Sequence, residues 1–363
     1  MRPYQGELVL NGPSGSDQLP PHKRRARYKG RNPRRFDEKY KEHDPARYAD
    51  DVAKIIESGK TPAGTHRPIM VREIIDVLDP RPGQVALDAT LGYGGHAREL
   101  LQRIVPGGRL WGIDVDPVEN RRAEARLRAL GFTPEVFKAR CINFAGIPKI
   151  LDEAGGGFDL LLADLGVSSM QLDDPARGFT FKREGPLDLR LNPGRGQPAS
   201  AFLQSISEKD LAELLRANAD EPYAAGIARS VFKCRKPILT TTALADAVRR
   251  ALPRAAGEAD EEERTRSVRR TFQALRVAVN GEFIVLEQFL RNLPSCLKPG
   301  GRDAILTFHP GEDIRVARAF QEGLTSGVYA RGSLEPLRPS AQEQYDNSRS
   351  KSARLHWAQR SAA

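Results

Sequence analysis

The sequence predicts an α/β fold, a parallel sheet doubly wound with helices and interrupted by a helical insert. Three observations carry that expectation. Short apolar runs alternate with helix-patterned segments between residues 85 and 166, the pattern of successive βαβ units. The stretch DATLGYGGHARELL (88–101) reads as a strand end, a glycine turn and a helix start. Strand signals then vanish over 199–252 and return at 303.

Taken in order, residues 1–62 form a basic arm rich in Pro, Gly and charge, expected to be largely disordered, in which only 45–59 has the makings of a helix. Order begins near His66. RPIMVREIIDVL then places Ile69, Met70, Ile74, Ile75, Val77 and Leu78 on one helical face. Strands are expected at 85–90, 109–115, 134–140 and 158–166, with helices near 96–104, 117–130 and 145–154. The pattern breaks after 175. Residues 176–198 are rich in Gly, Pro and Arg, and the helices beyond open on capping residues. Ser207 caps SEKDLAELLRANA, with Asp210 in place of the usual capping-box Glu, and TTALADAVRRAL also begins on Thr. After the charged GEADEEERTR (257–266), one long amphipathic helix is expected, with Phe272, Leu275, Val279, Phe283, Leu286 and Leu290 as its stripe. It stops before Lys298-Pro299-Gly300-Gly301, and DAILTFHP (303–310) is a further strand. The expected division is an arm at 1–62, a core at 63–181, a helical insert at 182–265 concerned with substrate recognition, and the rest of the core with a tail at 266–363.

Composition narrows the function. With 39% hydrophobic residues in 363, the chain can bury a real core. No apolar run nears the 18 residues of a membrane span, and the N-terminus lacks a signal-peptide apolar region. Cys141, Cys234 and Cys296 lie far apart and fit neither a metal spacing nor a disulfide framework. A cytoplasmic protein without metal is expected. Net charge is +10, and within KRRARYKGRNPRR (23–35) 8 of 13 residues are basic. Neutralisation of nucleic-acid phosphate explains such a run, as does a solvated tail that binds nothing specific.

Asp88, Asp114 and Asp164 each end a strand candidate. In a doubly wound sheet the carboxyl ends of the strands meet at one rim, where ligands bind. Asp114 stands 20 residues beyond Gly94, a suitable distance for an acid holding ribose hydroxyls. A nicotinamide dinucleotide is the first thought, but Gly-Tyr-Gly-Gly-His is not G-x-G-x-x-G. A ligand without pyrophosphate, such as S-adenosylmethionine, fits the shorter turn. In DLGVSSMQLDDPARGFTFKREGPLDLR (164–190), Ser168, Ser169 and Gln171 offer small polar groups. Phe179 and Phe181 could stack a base or pack a core, and Arg177 and Arg190 could hold phosphate or carboxylate.

Several stretches resemble one family. HRPIMVREIIDVL, DATLGYGGHA, GIDVDP, NFAGI, DLLLADLGVSSMQLDDPARGFTF and GPLDLRL are similar to segments of the small-subunit ribosomal RNA cytosine-N4 methyltransferases, the RsmH or MraW family. RKPILTTTALADAV, RTFQALRVAVNGEF, LKPGGRDAILTFHPGEDIRV and SRSKSARL continue the likeness in order, from about residue 66 to 355. The resemblance implies a class I (Rossmann-like) S-adenosylmethionine-dependent methyltransferase with an inserted helical domain. It further implies ribosomal RNA or the small ribosomal subunit as partner, with methylation in the decoding region, and it leaves the oligomeric state open, a homodimer included. By the same resemblance the cofactor contacts fall on Gly94, Gly95, His96, Asp114, Phe144, Asp164 and Gln171. The transferred methyl would go to the exocyclic amine of cytosine, a poor nucleophile whose lone pair is delocalised into the ring. Asp164 is the candidate acceptor that orients this amine, and His309 is a second catalytic candidate.

The chain also departs from the family. TFHPGED (307–313) stands where S-F-H-S-L-E-D is usual, RSVR (266–269) for H-P-A-T, LDLRL for L-D-M-R-M and NADE (218–221) for aromatic-G-E-E. The arm is read as an addition. These departures fall on substrate-side segments, so two other readings stay open: an RNA-binding assembly factor with impaired catalysis, and a methyltransferase of another RNA or a small molecule.

Overall fold

The computed structural model describes residues 68–253 and 258–362. The arm, with its basic run and the helix expected at 45–59, lies outside the described residues. The first half runs α1 (Val71–Leu78), β1 (Val85–Asp88), α2 (Gly95–Ile104), β2 (Arg109–Ile113), α3 (Pro117–Ala129) and β3 (Phe137–Arg140). A 3-10 segment (Phe144–Ile150) leads into the short α4 (Leu151–Ala154), then β4 (Phe158–Asp164) and α5 (Ser169–Asp173). Pro148 explains the tighter winding where a regular helix was expected, since it can donate no backbone hydrogen bond.

The insert comprises α6 (Ala199–Ser205), α7 (Glu208–Ala219), α8 (Ala224–Phe232) and α9 (Thr241–Ala251). Ser207 caps α7 by accepting from the Asp210 amide, and Thr240 caps α9 in the same way from Ala243. The chain then forms α10 (Glu258–Asn280), α11 (Glu282–Cys296), β5 (Leu297–Thr307), α12 (Pro310–Thr325), β6 (Tyr329–Gly332), α13 (Ala341–Asp346) and β7 (Arg354–Arg360).

The seven strands lie in the order β3-β2-β1-β4-β5-β7-β6. β1 pairs in parallel with both β2 and β4, while β7 runs antiparallel between β5 and β6. Chain order reverses at β1 and β4, so the crevice beyond their carboxyl ends is where a ligand fits. Side chains alternate between two cores, as the pleat requires. Leu87, Trp111, Leu161 and Ile305 face one core with Phe158 and Phe289; Ala86, Leu110, Leu162 and Leu306 face the other with Met70 and Phe137. Burial on both faces is why these strands read as unbroken apolar runs.

A third core belongs to the insert, and it draws on both flanks. Phe179, Leu187 and Leu189 enter it from one side and Val268, Phe272 and Leu275 of α10 from the other. The boundary expected at 265 therefore falls inside a single helix. The long helix expected across 272–290 is in fact two. Gly281 takes φ 60° and separates α10 from α11, a left-handed conformation that glycine adopts without Cβ strain. The break also takes Phe283 out of the buried stripe.

Candidate active site

A cavity of about 570 Å³ opens at the reversal point, within the size range of small-molecule sites. Its walls come from the β1–α2 turn, the ends of β2 and β4, the α10–α11 junction, the start of α12 and the segment 347–352. Of the three strand-end acids, Asp114 and Asp164 line this cavity. Asp88 does not. It is buried beneath the turn, where Oδ1 accepts the Thr90 amide at 3.1 Å.

The glycine turn is built for close approach. Gly92, Gly95 and His96 line the cavity, and a Cβ on Gly95 would lie 2.5 Å from Pro68 Cγ. Gly94, expected as a cofactor contact, is set back at φ 83°, and its α-carbon faces Ala123 and Leu127 of α3. It shapes the turn rather than the wall. Asp114 accepts the Gly92 amide on Oδ2 at 2.7 Å and the Asp116 amide on Oδ1 at 2.8 Å. Burial pushes its carboxyl up to about 6 against those two hydrogen bonds. Each oxygen keeps a lone pair for a ligand hydroxyl.

His96 donates from Nε2 to the Ile69 carbonyl at 2.9 Å, which leaves Nδ1 as an acceptor 3.6 Å from Asp164 Oδ2. Burial lowers its affinity for a second proton. Asp164 is fixed from its backbone, whose amide donates to Thr90 Oγ1 at 2.6 Å. Its carboxyl is pushed up to about 7, by burial first and then by the charge of Glu312. Phe144 opens the 3-10 segment and meets Phe289 edge-on, with centroids 5.1 Å apart and one side on the cavity.

Gln171 borders the cavity, but its amide is engaged by the protein. Nε2 donates to Asp116 Oδ2 at 2.8 Å and Oε1 accepts the Ser168 amide at 2.9 Å, closing a capping box on α5. Asp116 was missed. Fully buried, it caps α3 and also takes Arg177 Nη1 at 2.6 Å. An aspartate before Pro117 is a legible helix cap, but nothing in the sequence points to its tie with Gln171 and Arg177.

Of the two readings open for Phe179 and Phe181, base stacking or core packing, the structure supports core packing. Phe179 is buried in the insert core and Phe181 packs on Phe272 with centroids 5.4 Å apart; neither lines the cavity. Arg177 is spent on Asp116 and Arg190 on Asp188. The phenylalanine rings that do reach the cavity are Phe144, Phe283 and Phe308. His309 also reaches it, its Nε2 3.0 Å from Glu312 Oε1. Burial would raise the Glu312 carboxyl, but His309, Arg276 and the Phe308 amide together hold it below its ordinary range. Glu282, His309 and Glu312 could share one cation. Arg276, bidentate on Glu282 at 2.8 and 2.8 Å, already supplies positive charge there.

Two of the altered segments meet away from the cavity. Ser267 of RSVR donates to Glu221 of NADE at 2.9 Å, both buried between α7 and α10. Among the described residues no helix is long and apolar enough to cross a membrane.

The sequence profile of the MraW methylase family matches residues 63–361. Ribosomal RNA small subunit methyltransferase H 1 of Lachnoclostridium phytofermentans is 47% identical over 357 residues, spanning 98% of this chain and 97% of that protein. Ribosomal RNA small subunit methyltransferase H 2 of Alkaliphilus metalliredigens is 49% identical over 338 residues, 92% of this chain and 97% of its own. The first alignment takes in most of the arm, so the arm is no private addition of this chain. Among solved structures, a Streptococcus mutans protein in complex with SAH is 11% identical, with a TM-score of 0.39 over 80% of this chain and 97% of its own.

Proposed function

The chain belongs to the MraW methylase family, and from that premise we propose that it methylates the exocyclic N4 amine of a cytosine in the decoding region of small-subunit ribosomal RNA. The cofactor is S-adenosylmethionine, which when bound supplies an electrophilic methyl group on a positively charged sulfur. The residues present fit it. Asp114 has free lone pairs for a ribose diol, the turn at Gly95 has no room for a Cβ, and the acidic wall of Asp164 and Glu312 suits a cationic sulfur.

One observation carries the mechanism: Asp164 sits in the same cavity as the glycine turn and Asp114, with His96 Nδ1 3.6 Å away. Ionised Asp164 accepts hydrogen bonds from the N4 amine and so aims it at the methyl donor. Orientation of this kind lowers a barrier by several kcal/mol. Asp164 then takes the proton released as the new N–C bond forms. His309 and Glu312, 3.0 Å apart, line the same cavity as Asp164 and hold its substrate side in shape. Gln171, through Asp116 and Ser168, keeps the 166–171 loop in place.

This reading makes the protein a cytoplasmic enzyme whose partner is ribosomal RNA or the small subunit. A binding-only assembly factor has less in its favour, because the altered Ser267 is spent on Glu221 in the insert's packing. The deciding experiment is mass spectrometry of small-subunit RNA from a deletion strain. Loss of N4-methylcytosine, restored by the wild-type gene but not by Asp164→Asn, is expected; an unchanged nucleoside profile would overturn the assignment. Asp114→Ala removes the charged acceptor for the ribose, costing about 1.5–3 kcal/mol. Calorimetry should then find S-adenosylmethionine bound roughly tenfold more weakly or worse.

A further inference from the structure

We propose that Phe283 is the surface on which the target cytosine ring rests, and that residue 311 is glycine so that this ring has room. The inference rests on the RNA-methylating reading above and names the residue that positions its base. A Cβ on Gly311 would lie 2.4 Å from Phe283 Cζ and 3.0 Å from Cε1. The ring thus occupies the space a side chain at 311 would fill. This is the position where TFHPGED departs from the leucine usual in the family it resembles. The two positions are matched in size across the α11–α12 contact.

The ring is also held still. Gly281 starts α11 in a left-handed conformation, and Glu282, next to Phe283, is clamped by Arg276. The Arg315 guanidinium lies over the ring at 3.8 Å from its centroid, a favourable cation–π contact. Arg315 is itself fixed, donating to the Gly311 carbonyl and to Glu287, each at 2.9 Å. Half-buried, Phe283 presents its remaining apolar surface to the cavity. A pyrimidine offers a π-face that stacks on such a ring. The acceptor for its amine, Asp164, lines the same cavity. His309 lies 5.8 Å from the Phe283 ring and bridges to Glu312, the carboxylate whose charge Asp164 feels. A base resting on Phe283 therefore has its polar edge on the acidic side of the cavity.

The test uses the full-length protein, small-subunit RNA and two readouts. Phe283→Ala should raise KM for RNA roughly tenfold or more, with kcat and S-adenosylmethionine affinity little changed, while Phe283→Tyr keeps near wild-type values. Gly311→Ala should resemble Phe283→Ala although it adds one methyl group, and adding it to Phe283→Ala should cost nothing more. Saturation-transfer NMR with cytidine 5′-monophosphate on protein saturated with S-adenosylhomocysteine should label the base H5 and H6 protons, and lose that label in Phe283→Ala. A KM within twofold of wild type in folded Phe283→Ala, additive effects of the two substitutions, or no label on the wild type would each overturn the proposal. Base labelling through Phe283 with no methyl transfer to N4 would instead uphold the platform and sink the RNA-methylating reading.

Discussion

At Asp164 one half-buried carboxyl group is asked to feel the charge of Glu312 and still to accept protons. Its value of about 7 makes the fraction ionised, and so the rate of transfer, rise between pH 6 and 8. Single-turnover rates should follow that rise, and Asp164→Asn should lose about 100-fold or more in rate, far more than it loses in S-adenosylmethionine affinity. Stability moves the other way. A carboxyl raised from an ordinary 3.8 binds its proton more tightly folded than unfolded, so its contribution is present near pH 4 and is lost as pH rises through 7. Asp164→Asn cannot ionise. Its melting temperature relative to wild type should therefore be higher at pH 8 than at pH 5, and equal differences at the two pH values would contradict the assignment. Asp114 and Asp164 were legible because a strand end is a local signal. Glu282, Phe283 and Glu312 were not, since they join Asp164 around the cavity only after elements more than 100 residues downstream fold back on the sheet.

The elements themselves were legible wherever a period or a cap fixed them. Leu87 and Trp111 sit in apolar runs that could only be buried strands, and Ser207 announced α7. The reading failed at Gly281, where apolar spacing continues across a break that only the backbone reveals, and it left Phe179 and Phe181 open between base and core because no local pattern encodes their packing. Asp116 is a buried joint between elements, tying the start of α3 to Gln171 of α5 and to Arg177. Asp116→Ala would remove a cap and leave Arg177 mostly buried without its counter-charge. A loss of about 3–5 kcal/mol is expected by chemical denaturation, and a loss below 1 kcal/mol would mean that the joint is not under load.

For the molecule as a whole, charge and cavity act at different ranges. Each phosphate neutralised adds roughly 0.7–0.9 to the slope of log affinity against log salt. Deleting residues 1–62, with eight basic residues in 23–35, should flatten that slope by about two units for any RNA while leaving S-adenosylmethionine affinity alone, since phosphate contacts carry no sequence information. An unchanged slope would make the arm a solvated tail. The cavity reaches over a different distance. Its wall is collected from residues as far apart in the chain as Pro68 and Ser352, so an unfolded chain has nothing for the cofactor to hold. Mass action then makes the small molecule a fastener for the entire protein: at a hundredfold excess over Kd the native state gains about 2.7 kcal/mol. The gain should register as slowed hydrogen exchange in the sheet and in the α10–α11 junction alike, so that a cell short of S-adenosylmethionine would carry an enzyme that is not only idle but easier for proteases to open.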